Sequence, residues 1–139
     1  MTKNQILKFI EKHGGPNIKV QFRIIDTTAR VHPRKRIIII NFTHINKFEE
    51  ATQKDVLLHE IGHIRSFDKG TEKYYRCSSN EYNAHTWAII YAHNTPGLHK
   101  TFKSLLKTAK DWTTLKWNKN KKYRIYIKAG RKIINAWKK

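Results

Sequence analysis

A chain of 139 residues with 39% hydrophobic and 12% aromatic content can bury one modest core, which excludes a disordered chain. Its net charge of +19 is uneven: residues 100–139 hold 14 Lys and Arg against the single acid Asp111, whereas residues 1–99 hold 15 against 9. No apolar run approaches the roughly 20 residues that cross a bilayer, Met1-Thr2-Lys3-Asn4-Gln5 has no apolar signal region, and the lone Cys77 makes no internal disulfide. The expectation is an intracellular, cytoplasmic protein with no membrane partner.

Residues 2–13 read as a short helix with Thr2 as cap, Ile6, Leu7 and Ile10 as its apolar stripe, and Gly14-Gly15-Pro16 as its stop. Ile18, Val20, Phe22 and Ile24 alternate with other side chains, the period of a half-buried strand. Residues 26–36, broken at His32-Pro33, read as a turn or hairpin loop with Arg34-Lys35-Arg36 as a solvated tip. The β-branched run Ile37-Ile38-Ile39-Ile40-Asn41-Phe42 predicts a strand covered on both faces. Residues 44–51 are a connection.

A helix over about 53–66 follows, with Thr52-Gln53-Lys54-Asp55 as a capping-box-like start. Residues 67–78 read as a loop. A second strong helix begins at Ser78 and runs to about His93, and its small Ala84 and Ala88 allow another helix to approach closely. Thr95 and Pro96 suit the N-cap and first residue of a helix over 96–111 carrying Phe102, Leu105, Leu106 and Ala109. In the last segment Tyr123, Tyr126, Ile127, Gly130, Ile133, Ile134 and Trp137 form a helical stripe, although 123–128 also alternates like a strand; the helix is preferred because the stripe holds over four turns. The whole is an α+β chain, a single domain with a core over about 1–95 and a basic helical extension over about 96–139.

Within the 53–66 helix lies His59-Glu60-Ile61-Gly62-His63, an H-E-x-x-H motif. Residues four apart share a helix face, so His59 and His63 point two imidazoles at one spot, as a tetrahedral zinc requires. Glu60, a quarter-turn around, is placed to act as general base on metal-bound water without coordinating. Val56, Leu57, Leu58, Ile61, Ile64 and Phe67 flank the histidines with apolar residues, the pattern of a buried helix polar on one line.

A catalytic zinc usually has three protein ligands, and Asp68, Glu72, Cys77, Glu81, His85, His93 and His99 are the downstream candidates for the third. Glu81 and His85 lie one turn apart on the second helix, which fits a ligand and a residue that orients it, in either order; Glu81 also fits a capping box with Ser78. The motif at 59–63, followed by Asn80-Glu81-Tyr82-Asn83-Ala84-His85-Thr86-Trp87-Ala88, resembles the gluzincin pattern. It is similar in particular to the ImmA/IrrE-type metallopeptidases, whose second helix reads Glu-x-x-Ala-Asn/Asp followed by an aromatic residue and Ala. The resemblance spans about residues 37–92, and His85 departs from it where Asn or Asp is usual.

The resemblance implies a small zincin-like domain: a short β-sheet packed on the H-E-x-x-H helix, one Zn2+ held by His59, His63 and Glu81, and hydrolysis of a peptide bond in an intracellular protein. Residues 37–42 would then be the strand that pairs with substrate, and an intracellular protein bound to DNA is one kind of target. His85 and Tyr82, with Tyr74, Tyr75 and His44 behind them, are candidates for orienting a ligand or holding the oxyanion. The basic end, through Lys121, Lys122, Arg124, Lys128, Arg131 and Lys132, and its interleaved Phe102, Trp112, Trp117, Tyr123, Tyr126 and Trp137, point to contact with nucleic acid or another polyanion. The competing readings are therefore a nucleic-acid-binding protein with a structural or vestigial zinc site, and a zinc hydrolase of non-peptide bonds.

Overall fold

The computed structural model describes residues 1–115 and 121–137, with the side chains of Lys121 and Lys122 excepted. Among the described residues it is an α+β fold of six helices and one three-stranded sheet. Helix α1 (Lys3–Gly14) starts at a complete capping box. The Gln5 amide donates to Thr2 Oγ1, and the Thr2 amide donates to the Gln5 side chain. Its end is tied down by Arg65, whose guanidinium donates to the Gly14 carbonyl at 2.9 Å.

Strand β1 (Lys19–Phe22) is shorter than its alternation suggests: the chain leaves the sheet after Phe22, and Ile24 is 95% exposed. The segment expected to be only a loop contains a strand, β2 (Ala29–His32), which forms an antiparallel hairpin with β3 (Ile37–Ile40). Arg36 is not a solvated tip. It takes φ 57° to close this hairpin, and its side chain donates to Asp68 at 2.7 Å. The sheet order is β1-β3-β2, with β1 and β3 parallel. The all-isoleucine β3 sits in the middle with Ile38, Ile39 and Ile40 buried, as a strand covered on both faces requires. It ends at Asn41, whose side chain caps the short helix α2 (Phe42–Ile45) and also donates to the Ile25 carbonyl.

Helix α3 (Glu50–Asp68) begins three residues before its expected position, so Thr52 is inside it and caps nothing. Asp55, read as a capping residue, is instead buried and accepts hydrogen bonds from Ser104 and Thr108 at 2.9 and 2.7 Å. Helix α4 (Ser78–Asn94) packs along α3. Thr95 does not start the next helix: its hydroxyl donates back to the Tyr91 carbonyl at the end of α4, and Gly97, at φ 87°, turns the chain. Helix α5 (His99–Thr113) therefore begins three residues late.

The ambiguous last segment is a helix, α6 (Lys121–Trp137), antiparallel to α5: Trp112 meets Tyr126, and Phe102 meets Trp137. Gly130, a weak helix former, is there because a Cβ would strike the Ala109 carbonyl oxygen at 2.6 Å. Leu105, Ala109 and Ile133 belong to the same buried cluster as Ile6, Ile38, Leu58 and Ile89, so α5 and α6 share the core of the earlier elements. No helix of the described residues is long and apolar enough to cross a membrane.

Burial holds the Asp55 carboxyl above its ordinary value of 3.8, against the pull of its Thr108 and Ser104 hydrogen bonds. Asp55→Ala is expected to cost about 1–3 kcal/mol in urea unfolding, because two half-buried hydroxyls lose their acceptor. Asp55→Asn keeps an acceptor and is milder. A pKa raised on folding contributes stability that is present at low pH and lost as pH rises through the folded-state value. Relative to Asn, wild-type stability therefore falls along that same range.

Candidate metal centre

Helix geometry alone brings His59 and His63 to one face of α3, and a close approach of α4 completes the cluster. A Cβ at Gly62 would overlap the Ala84 carbonyl oxygen and lie 2.9 Å from its carbon, so only glycine lets the two helices touch here. That contact sets Glu81, one turn before Ala84, against both histidines. His59 Nε2 lies 3.2 Å from His63 Nε2 and 3.1 Å from Glu81 Oε1, and His63 Nε2 lies 3.3 Å from the same oxygen. The three side chains are nearly enclosed, and their ligand atoms are close enough together to bind one metal ion. The capping alternative for Glu81 is not realised: Cys77 is the N-cap of α4 and no side chain caps it.

The partners behind the histidines fix which nitrogens carry protons. His85 is fully buried, and its Nε2 lies 2.8 Å from the Leu105 carbonyl, an obligate acceptor, so Nε2 carries the hydrogen. Burial first, and His59 beside it second, push the His85 pKa down to about 3. A neutral His85 offers its Nδ1 lone pair, and His59 Nδ1 donates to it at 2.9 Å. On the other ligand, His63 Nδ1 donates to the Glu72 carboxylate at 2.9 Å. Both Nε2 atoms thereby face Glu81 Oε1, free to give their lone pairs to one cation or, without it, to carry a proton against the carboxylate. His85 thus orients His59 and does not join the cluster of ligand atoms.

Such a cluster requires a positive charge. Burial acts to lower the His63 pKa, yet hydrogen bonds to Glu72 and Glu81 raise it well above 6.5. Burial acts to raise the Glu81 carboxyl, yet its bonds from His59 and His63 hold it well below the usual carboxylate range. Glu60 lines a cavity of about 490 Å³ that His63 and Glu81 also face, and burial raises its carboxyl pKa. β2, the loop between α3 and α4, and Tyr126 form other walls of that cavity.

Tyr126 was not legible as a site residue. It comes from α6 and lines the same cavity as Glu60 and Glu81, and burial with the charges of Glu81 and Glu60 pushes its pKa far up, so it stays a proton donor. The only sign in the sequence was a hydroxyl, shared with Tyr123, on a largely apolar helical stripe. Trp112 of α5 packs 4.5 Å from the His85 ring and 5.7 Å from the His59 ring, shielding the ligands from water.

The remaining candidates lie elsewhere. Tyr82 faces α6, where Lys132 Nζ lies 4.1 Å from its ring centroid. His44 bonds Thr28 at 2.7 Å, Asp68 pairs with Arg36, and His93 packs on Phe102. Cys77 and His99 flank the ends of helices, Cys77 half-buried and His99 exposed. Tyr74 and Tyr75 are exposed on the cavity rim. The strand at 37–42 cannot receive a substrate strand, because β3 is already paired on both sides; the edge strand facing the cavity is β2. Scans against protein-family models, curated proteins and solved structures return no match to this chain.

Glu81→Ala and Gly62→Ala are each expected to abolish stoichiometric metal loading, measured by elemental analysis after dialysis against zinc. His85→Ala should load but bind about 10–100-fold more weakly, the usual cost of losing a partner that orients a ligand. Because a metal displaces the proton held on His63, affinity should fall as pH drops, beginning above the 6.5 of an ordinary imidazole. Competition titration with a chromophoric chelator across pH reads this directly.

Proposed function

We propose that the protein is a zinc-dependent endopeptidase of the H-E-x-x-H type, a small zincin-like domain similar to the gluzincin and ImmA/IrrE metallopeptidases. The observation that carries the reading is the donor triangle with edges of 3.1–3.3 Å, formed by His59, His63 and Glu81 beside a cavity that holds Glu60. Ligands at about 2.0–2.1 Å from a tetrahedral zinc are separated by about 3.3 Å, so the donors match that ion without rearrangement. Two imidazoles and one carboxylate are also the ligand set of a catalytic zinc that keeps a fourth position open. When bound there, zinc would lower the pKa of a water and polarise the scissile carbonyl.

The chain's own residues supply the rest. Glu60, its carboxyl pKa raised by burial, takes a proton from the attacking water and later delivers it to the leaving amine. Tyr126, kept protonated by its buried, anionic surroundings, donates a hydrogen bond to the oxygen that gains charge in the transition state. Trp112 keeps the ligand face dry, which strengthens every charge interaction inside it. The edge strand β2 supports a peptide over other substrates, since an extended backbone can pair along it past the metal centre.

Glu60→Gln should keep its zinc while losing roughly 10²–10⁴-fold in rate, and Tyr126→Phe should lower kcat by on the order of 10²-fold with KM nearly unchanged. The assay is cleavage of a randomised peptide library by the zinc-loaded protein, read by mass spectrometry. Undiminished cleavage by Glu60→Gln would sink the mechanism.

A further inference from the structure

The basic end of the chain forms an ordered surface, and the arrangement of its side chains narrows the partner. On α5, Lys100, Lys103, Lys107 and Lys110 recur at helical spacing, and all four are exposed, opposite the buried Thr101, Leu105 and Ala109. On α6, Arg124, Lys128 and Arg131 form a second exposed row, opposite the buried Ala129, Gly130 and Ile133. The two helices are antiparallel neighbours that press the same pair of inner faces against the core. Both rows therefore lie side by side on the outer face of the hairpin. Among the described residues, Lys100, Lys103, Lys107, Lys110, Lys128 and Arg131 make no ion pair, and Asp111 is the only acid on either helix.

The aromatic residues point the other way. Trp112 packs on His59 and His85, Tyr126 on Trp112, and Phe102 on Trp137, so these rings are committed to the interior of the hairpin and cannot stack with bases. The expectation that they interleave with the charges on one binding face is overturned for them, and Trp117 lies outside the described residues. Lys132, expected on the same face, is engaged with the Tyr82 ring, and the side chains of Lys121 and Lys122 are outside the described residues. A single strand needs stacking platforms, which Phe102, Trp112, Tyr126 and Trp137 do not offer to this face; a duplex presents rows of phosphates, which it fits.

We infer that the outer face of the α5–α6 hairpin binds the phosphate backbone of double-stranded nucleic acid without reading its sequence. The α5 row is about 15 Å long at 1.5 Å per residue, the length of roughly four phosphates of one strand at 3.4 Å each. The α6 row, about 8–10 Å away across the helix pair, adds contacts alongside it. The surface lies apart from Glu60 and the metal ligands, so its binding stands or falls independently of the peptidase reading.

The test is fluorescence polarisation of the full chain with a labelled 20-base-pair DNA duplex of arbitrary sequence, from 50 to 300 mM salt. Six contacts predict a slope of about −5 in log K against log salt. Lys103→Gln/Lys107→Gln should reduce the steepness of that slope by about 2 and weaken binding roughly tenfold or more at 100 mM. Lys8→Gln/Lys12→Gln, which removes the same charge from exposed positions on α1, should change the slope by less than 1, and Glu60→Gln should bind like wild type. Equal losses from the two double variants would overturn the proposal in favour of diffuse attraction by the net charge. Tighter binding of a single strand, of polyglutamate or of phosphatidylserine vesicles than of duplex at equal salt would overturn it as well.

Discussion

A missing side chain governs the site. At Gly62 the α4 backbone comes so close that a Cβ would overlap the Ala84 carbonyl, and the ligand geometry follows from that contact. Without it Glu81 would stand off from His59 and His63, and His85 would not reach His59 Nδ1. Gly62 has no substitute, because the obstacle is rigid backbone and not a side chain that can turn aside.

Two shells of hydrogen bonds convert that contact into a defined electrostatic arrangement. Leu105 fixes the His85 tautomer, His85 fixes that of His59, and Glu72 fixes that of His63. The protons are driven to the outer nitrogens, and the inner ones are left to a cation. The third strut is α5 itself, which Asp55 clamps to α3 through Ser104 and Thr108, the residues flanking the turn that presents the Leu105 carbonyl. The clamp is buried at some electrostatic cost, visible in the raised Asp55 pKa, and its return is positional.

The C-terminal hairpin therefore has two faces with different duties. Its inner face supplies Leu105, Trp112 and Tyr126 to the metal centre, and its outer face carries an almost purely basic surface. The aromatic and basic residues are interleaved in sequence only because a helix of period 3.6 sends them to opposite sides. Read as composition, the mixture implies one binding surface. Folded, it separates into a packed interior and a charged exterior.

What the sequence by itself determined was whatever depends on residues a few positions apart. The i, i+4 pair His59 and His63 on one helix face, the Thr2 capping box, the buried isoleucine strand and the helical stripe of 121–137 are all set by local backbone periodicity. Tertiary structure decided what depends on elements meeting across the chain. The caps at Thr52 and Thr95 lost to longer-range packing, and β2 emerged only because β3 offered an edge to pair with. Glu81 was one of seven candidates until the Gly62 contact brought it forward, and Tyr126, 45 residues beyond Glu81, reached the site only because α6 folds back along α4. The physical reason is that periodicity fixes which face a side chain occupies, whereas only packing fixes what that face meets.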